Sequence, residues 1–249
     1  MRFTLLLILL NFLIFSSCKV QLSEIKGKQI AVTDSTAIDA EIESFITPYR
    51  EHIKKDLDSI LAYSPKTYSK KDGELNTAIG NLMADIVYSE GNPVFNKKTG
   101  NTIDAVVLNH GGIRSIISEG PITARTAYEV MPFENKIVVI GLKGSKITKI
   151  TDFMKSSKRA HPIAGLNIVL DKDYHVFSAT IKGKEIETDK VYYIATSDYL
   201  YNSGDNMYFF KPNESVTHID YKIRNAMIDY FKKVDTINPI IDNRFIRKQ

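Results

Sequence analysis

A chain of 249 residues that is 43% hydrophobic, with 12 Phe and 13 Tyr, holds enough apolar material for one large domain or a domain with appendages. Its 33 basic and 29 acidic residues leave a net charge of only +4, and no concentrated basic stripe is present, which argues against a nucleic-acid partner. A single cysteine excludes any disulfide within the chain, so stability must come from the core.

The N-terminus reads as an export signal. Arg2 supplies a positive start, Leu5 to Phe15 is an apolar run interrupted only by Asn11, and Ser16-Ser17 precedes Cys18. Small residues followed by that Cys resemble the lipobox of bacterial lipoproteins, in which the Cys is acylated and becomes the first residue of the mature protein. The resemblance implies a signal peptide over 1–17, lipidation at Cys18, and a protein exported and lipid-anchored to the bacterial cell envelope, on its periplasmic face or the cell surface. The apolar run is shorter than the roughly 20 residues that span a bilayer. A plain secretory signal followed by a free Cys is the alternative. Residues 18–38 are polar and read as a tether, with a short strand at Gln29 to Val32, and the domain proper is placed at 39–249.

A helix is predicted from near Ser35 or Asp39 to Ile60, because Ile42, Ile46, Tyr49, Ile53, Leu57 and Ile60 recur at threes and fours and form a packing face. Ala62 to Ser69 reads as a strand, at a sheet edge because of Pro65. Leu75 to Tyr88 is a second helix, in which Gly80 marks close approach by another element. Gly91 to Asn101 reads as loop. The apolar run Ile103 to Leu108 is a strand that stops at Asn109-His110-Gly111-Gly112, and Thr123 caps a short helix to Val130. Lys136 to Leu142 is a strand, and Gly144-Ser145 opens a helix through Met154. Leu166 to Leu170, Val176 to Ile181 and Val191 to Thr196 are strands, the first two joined by a turn at Asp171-Lys172-Asp173. Tyr221 to Val234 is a last amphipathic helix, and Asn238 to Arg244 is an ordered extension lying on the domain. Paired strands with interspersed helices favour an α+β fold of mixed sheet layers and packed helices over a doubly wound sheet.

Three loops carry the candidate chemistry. At Asn109-His110-Gly111-Gly112-Ile113-Arg114, a strand end opens into a glycine turn where backbone can approach a ligand, an Asn amide can read a polar edge and a guanidinium can meet an anion. Phe133 follows Pro132 ahead of a strand, and Tyr199 follows a strand ahead of Gly204-Asp205. Two such aromatics can stack on a flat ring, each contributing roughly 1–3 kcal/mol by analogy with base stacking. Asn109, Asp205 and the backbone of Gly111 and Gly112 can read ribose hydroxyls or base edges. Each residue also has an ordinary reading: Phe133 as core, Arg114 as a surface salt bridge, Gly204-Asp205 as a plain turn. Of the five histidines, His175 completes an Asp173-Tyr174-His175 triplet within a turn, and His110 lacks the glycine before it and the acidic residue after it that a metal motif requires. Neither is taken as a metal ligand. There is no Gly-x-Ser-x-Gly elbow and no Walker-type phosphate loop.

Four ordered blocks resemble the C-terminal domain of the 5'-nucleotidase / UDP-sugar hydrolase family: Ile79-Gly80-Asn81-Leu82-Met83-Ala84-Asp85, Asn109 to Arg114, Pro132-Phe133-Glu134-Asn135, and Tyr199 with Asn202-Ser203-Gly204-Asp205. The resemblance covers about 62–211. It implies substrate recognition in which Phe133 and Tyr199 sandwich a base, Asp205 contacts the ribose, Asn109 binds the base and Arg114 the phosphate side. It further implies that hydrolysis belongs to a metallophosphatase holding two divalent metals, on a separate chain here, with no cofactor bound by this one. The alternatives are a non-catalytic nucleotide-binding lipoprotein and a purely structural one. Three departures within these blocks stand out: the family's arginine shortly before the Gly-Asn-Leu block is missing from Asp72-Gly73-Glu74-Leu75-Asn76, Ser203-Gly204 replaces a pair of glycines, and Tyr stands at 199 where Phe is frequent.

Overall fold

The computed structural model describes residues 26–33 and 35–248. The expected signal segment and Cys18 lie outside the described residues. Gln29 to Val32 adopt no regular structure, so the strand expected there is corrected. No helix among the described residues is long and apolar enough to cross a membrane. The chain falls into two units, divided between Pro48 and Tyr49. Helix α1 (Ala40–Leu57) runs across that division and starts where the Asp39 carboxylate accepts the N–H groups of Glu41 and Ile42 at 3.0 and 3.1 Å. None of its residues is buried, and Ile42 and Ile53 are exposed. The expected packing face is thus at most partly buried, with Ile46 and Leu57 half-buried.

The second unit is built on a five-stranded mixed sheet. Its strands are β2 (Ala105–Val107), β4 (Lys136–Lys143), β5 (Ile163–Ala164), β9 (Val191–Ser197) and β10 (Ser215–Lys222), in the spatial order β10-β4-β9-β2-β5. Only β2 and β9 run parallel. Alternation along the strands sends Val106, Val139 and Ala195 into one core and Val107, Val138, Ile140 and Ile194 into another, so both faces are covered. The first face meets helices α2 (Ala78–Thr99), α3 (Ala124–Val130) and α6 (Ile223–Phe231), through residues such as Ile79, Ile86, Ala127, Met227 and Phe231. The second meets α4 (Gly144–Ser157) and a four-stranded sheet of β6 (Leu166–Leu170), β7 (Val176–Ile181), β8 (Lys184–Glu185) and the terminal β11 (Phe245–Arg247). The short helix α5 (Asp198–Tyr201) follows β9, and a two-stranded ribbon of β1 (Ile60–Ser64) and β3 (Gly120–Thr123) completes the domain. The expected α+β class with mixed sheet layers is what the chain adopts.

Several elements of the second unit differ from the sequence reading, among them the short strands β3, β5, β8 and β11, which it does not include. Helix α2 does not stop at Tyr88 but continues through Gly91 and Pro93 to a left-handed cap at Gly100. Tertiary packing overrides the local breakers: Phe95 is fully buried, its ring 5.3 Å from that of Tyr193, and a Cβ at Gly91 would stand only 3.6 Å from Ile103, Ile137 and Ile219. The strand expected over Ala62 to Ser69 is shifted to β1 and ends before Pro65. Strand β10, which takes the start of the predicted last helix, was not foreseen. The C-terminal extension is ordered as predicted: Asn81 donates to the Ile240 carbonyl at 2.9 Å, Asn76 to that of Asp242 at 2.8 Å, and Arg244 pairs with Asp85 at 2.8 Å.

Candidate functional site

The topology explains why three distant loops meet. Parallel neighbours β2 and β9 end on the same side of the sheet, with Val106 opposite Ala195, so Asn109 and Tyr199 emerge from adjacent strand ends. Strand β4 is antiparallel to β9 and pairs Ile137 with Ser197, which brings the Phe133–Asn135 turn to the same edge. The result is a cleft of about 230 Å³ lined by Asn109, Gly111, Gly112, Arg114, Phe133, Asn135, Tyr199 and Asp205. All seven residues singled out in the sequence are there; Asn135 joins them, and its place beside Phe133 was the available signal.

Within the cleft the polar groups are already organised. The Asp205 carboxylate accepts from Asn109 Nδ2 at 2.8 Å and from the Tyr199 hydroxyl at 2.9 Å. Donation to Asp205, aided by partial burial, raises the Tyr199 pKa and keeps the phenol protonated. Phe133 is 39% exposed and Tyr199 46%, so neither is a core residue. Arg114 makes no ion pair among the described residues: Nη1 donates to the Gly111 carbonyl at 3.3 Å, and the guanidinium lies 5.8 Å from the Phe133 ring centroid. The readings of Phe133 as core and Arg114 as a salt bridge are thereby set aside. Asp205 sits in no plain turn either, since Ser203, Asp205 and Asn206 all have φ between 50° and 72°. Left-handed backbone at three residues this close together marks a loop held by its surroundings.

The glycines serve space rather than dihedral freedom. Neither Gly111 nor Gly112 has positive φ. A Cβ on Gly112 would lie 2.8 Å from Asn109 Oδ1, so any side chain there would push on the amide. A Cβ on Gly204 would sit 2.4–2.6 Å from three atoms of the Tyr199 ring. Tyr199 thus rests on Gly204, which fixes the ring from one side.

Behind the glycine turn lie two histidines. The backbone N–H of His110 donates to His161 Nδ1 at 3.3 Å, and the His110 ring shares Nδ1 with the Ala160 carbonyl at 3.2 Å. Burial lowers both pKa values, that of His161 to about 4 with the neighbouring His110 adding to the effect. Asp171, Asp173 and His175 bring one ligand atom each within 4.8 Å, on an exposed turn. There Asp171 already accepts from the backbone N–H groups of Asp173 and His175 at 2.9 and 2.8 Å, so its carboxylate scaffolds the turn.

Two half-exposed rings, an amide, a carboxylate and a guanidinium without an ion pair among the described residues thus share one cleft at the strand ends. The chain belongs to the family described as 5'-nucleotidase, C-terminal domain, whose model matches residues 55–212. It is 26% identical over 218 residues to the cell wall protein Lmo0130 of Listeria monocytogenes, covering 73% of this chain and 28% of that protein. It is also 26% identical over 246 residues to the mouse 5'-nucleotidase, covering 88% of this chain and 42% of that one. In fold it is similar to the 5'-nucleotidase precursor of Thermus thermophilus, with a TM-score of 0.68 at 20% identity over 82% of this chain and 42% of that one. The chain therefore spans well under half the length of these relatives.

Proposed function

We propose that this chain binds nucleosides and nucleotides and supplies substrate recognition to a metallophosphatase on a separate chain, which hydrolyses nucleoside phosphates. The observation that carries the reading is the convergence of Phe133 and Tyr199, 66 positions apart, on one cleft whose polar wall is Asn109 and Asp205. A base fits between or against the rings, where each aromatic contributes roughly 1–3 kcal/mol. Asp205, the only carboxylate of the cleft lining, retains acceptor capacity on both oxygens for ribose hydroxyls, and Arg114 faces the phosphate.

The same geometry favours recognition over hydrolysis by this chain alone. Asp205 is bonded through both oxygens to Asn109 and Tyr199, which suits an orienting acceptor better than a base poised on water. The metal pair that would lower the pKa of a nucleophilic water is assigned to the partner, since the cleft wall offers a single carboxylate and no imidazole. An exported, lipid-anchored location through Cys18 completes the proposal. It is supported by the apolar run, the small residues before the Cys, and the likeness to a cell wall protein.

Calorimetric titration of adenosine into the soluble form tests the binding reading. Wild type should bind, and Phe133→Ala should weaken binding by roughly tenfold or more, the loss of one stacking contact. Equal affinity of the two proteins would remove the stacking role. Phosphate release from AMP should require the metallophosphatase; release by this chain alone with divalent metal would overturn the recognition assignment.

A further inference from the structure

Asp198 opens α5 directly after the last residue of β9, but it does not cap that helix. The capping acceptor is Ser197, whose Oγ takes the Leu200 N–H at 3.2 Å. The Asp198 carboxylate is turned to another task. Its Oδ1 accepts the N–H of Lys136 at 3.1 Å and that of Tyr199 at 2.8 Å. Among the described residues Asp198 forms no ion pair, and the Lys136 ammonium goes to Asp220 at 3.0 Å instead.

Those two donors belong to the two halves of the cleft. Lys136 is the first residue of β4 and follows the turn that carries Phe133, whereas Tyr199 carries the other ring. Backbone pairing between β4 and β9 ends at Ile137 with Ser197. The Asp198 side chain therefore carries the connection one residue further, past the point where β9 gives way to α5. From its other flank the Phe133 turn is held by α6: Arg224 donates to the Pro132 and Phe133 carbonyls, and the Ile223 N–H to the Asn135 carbonyl at 3.0 Å. Those bonds fix the turn to a helix that contributes nothing to the cleft lining. The bond to Asp198 fixes it to the element that bears the second ring. Tyr199 is itself held at both ends, its N–H by Asp198 and its hydroxyl by Asp205 at 2.9 Å.

We propose that Asp198 is a positioning residue for the base: by joining Lys136 and Tyr199 through one oxygen, it sets the width of the gap between the Phe133 and Tyr199 rings. The proposal rests on the nucleotide reading for what enters the gap, whereas the tie between the two loops can be read without a ligand. Width matters because a gap only ~0.5–1 Å too large forfeits about a quarter to a half of a van der Waals contact. A single oxygen serves both donors, so an acceptor is required and a charge is not. Asparagine keeps a carbonyl oxygen at the same place in the side chain. Asp198→Asn should therefore hold the two N–H groups, while Asp198→Ala releases both. Lys136 and Asp198 are half-buried, so water can take the freed groups and the fold should survive.

The test is calorimetry with adenosine on wild type, Asp198→Ala and Asp198→Asn, together with amide exchange of Lys136 and Tyr199 followed by NMR without ligand. Asp198→Ala should bind adenosine roughly three- to tenfold more weakly and exchange both amides faster. Asp198→Asn should stay close to wild type in both measurements. In a Phe133→Ala background, Asp198→Ala should add little, because no gap remains to set. Unchanged affinity in Asp198→Ala would overturn the proposal. So would an asparagine variant as weak as the alanine one, or the same loss in both backgrounds, which marks a general structural defect. If wild type binds no adenosine, the nucleotide reading falls; faster exchange of both amides in Asp198→Ala then still supports the tie, and unchanged exchange overturns it.

Discussion

Gly204 and Tyr199 show how a residue with no side chain can set the position of one that has a large one. The three ring atoms of Tyr199 that approach the Gly204 Cα leave no room for a methyl group, since contacts of 2.4–2.6 Å are far inside van der Waals distance. Gly204 does not have positive φ, so alanine would carry no dihedral penalty there. The two facts separate binding from stability. In Gly204→Ala the half-exposed ring can swing outward, breaking its 2.9 Å bond to Asp205 and leaving the stacking position. The expected outcome is an adenosine affinity reduced by about tenfold, the scale of one stacked aromatic, with the thermal midpoint changed by only a few degrees. Calorimetry and a melting curve on the same sample check it; a variant that binds normally would show that Tyr199 does not depend on this contact. The sequence made Tyr199 and Asp205 visible through the Tyr199…Gly204-Asp205 pattern, but gave no hint that the glycine is there for the ring.

At the scale of elements, the strands that build the cleft were legible and the helix that braces it was only partly so. Strands β2, β4 and β9 are apolar runs bounded by turn residues, and such runs identify themselves. Their order in the sheet, which brings Phe133 next to Tyr199, rests on pairings remote in sequence and cannot be read from any window. The same holds for Arg224 in the first turn of α6, which sequence reasoning passed over. Its side chain is only 4% exposed. It donates to the carbonyls of Pro132 and Phe133 at 3.2 and 3.3 Å, pairs with Glu134, and stacks 4.0 Å from the Tyr128 centroid. Only the amphipathic spacing of α6 was available beforehand, and an arginine on a helix face ordinarily reads as solvated. Its partners make it a positioning residue for the Phe133 turn, acting through backbone carbonyls. Arg224→Lys retains the charge but cannot serve both carbonyls and Glu134 with a planar fork. It should weaken adenosine binding about tenfold in the wild-type background and have little effect when combined with Phe133→Ala, because residues acting through one group are not additive. A double-mutant cycle by calorimetry, with hydrogen exchange of residues 131–135 as a ligand-free readout, decides it. Equal effects in both backgrounds, or unchanged exchange, would show that Arg224 does not set Phe133.

For the molecule as a whole, the second unit's sheet is covered on both faces, and behind the cleft rim the more deeply buried of the two histidines is His161. The ring is 6% exposed and lies against Phe153 at 5.4 Å between centroids. Nδ1 accepts the His110 N–H, which places the ring proton on Nε2, a buried atom with no partner among the described residues. Burial therefore pushes its pKa from the ordinary 6.5 down to about 4, with His110 opposing the charged form further and the Leu108 backbone, then Asp205, favouring it. The sign follows from linkage. The native state holds this histidine neutral while the unfolded chain protonates it near pH 6.5, so the stability it contributes is complete above that pH and is lost as pH falls toward 4. At pH 4.5 the loss is on the order of 2 kcal/mol, a noticeable part of the stability of a domain of this size. Protonation also removes the acceptor of the His110 N–H, so the turn bearing Asn109 and Gly112 loosens in the same window. His161→Leu lacks the titrating ring and should lose less stability than wild type between pH 7.5 and 4.5, even if it is less stable at neutral pH for want of the hydrogen bond. Urea unfolding of both proteins at the two pH values measures the difference, in which the carboxylates common to both cancel. Identical pH dependence in the two would mean that His161 already accepts its proton in the folded state, and that the packing of Phe153 and the glycine turn around it is looser than the structure describes.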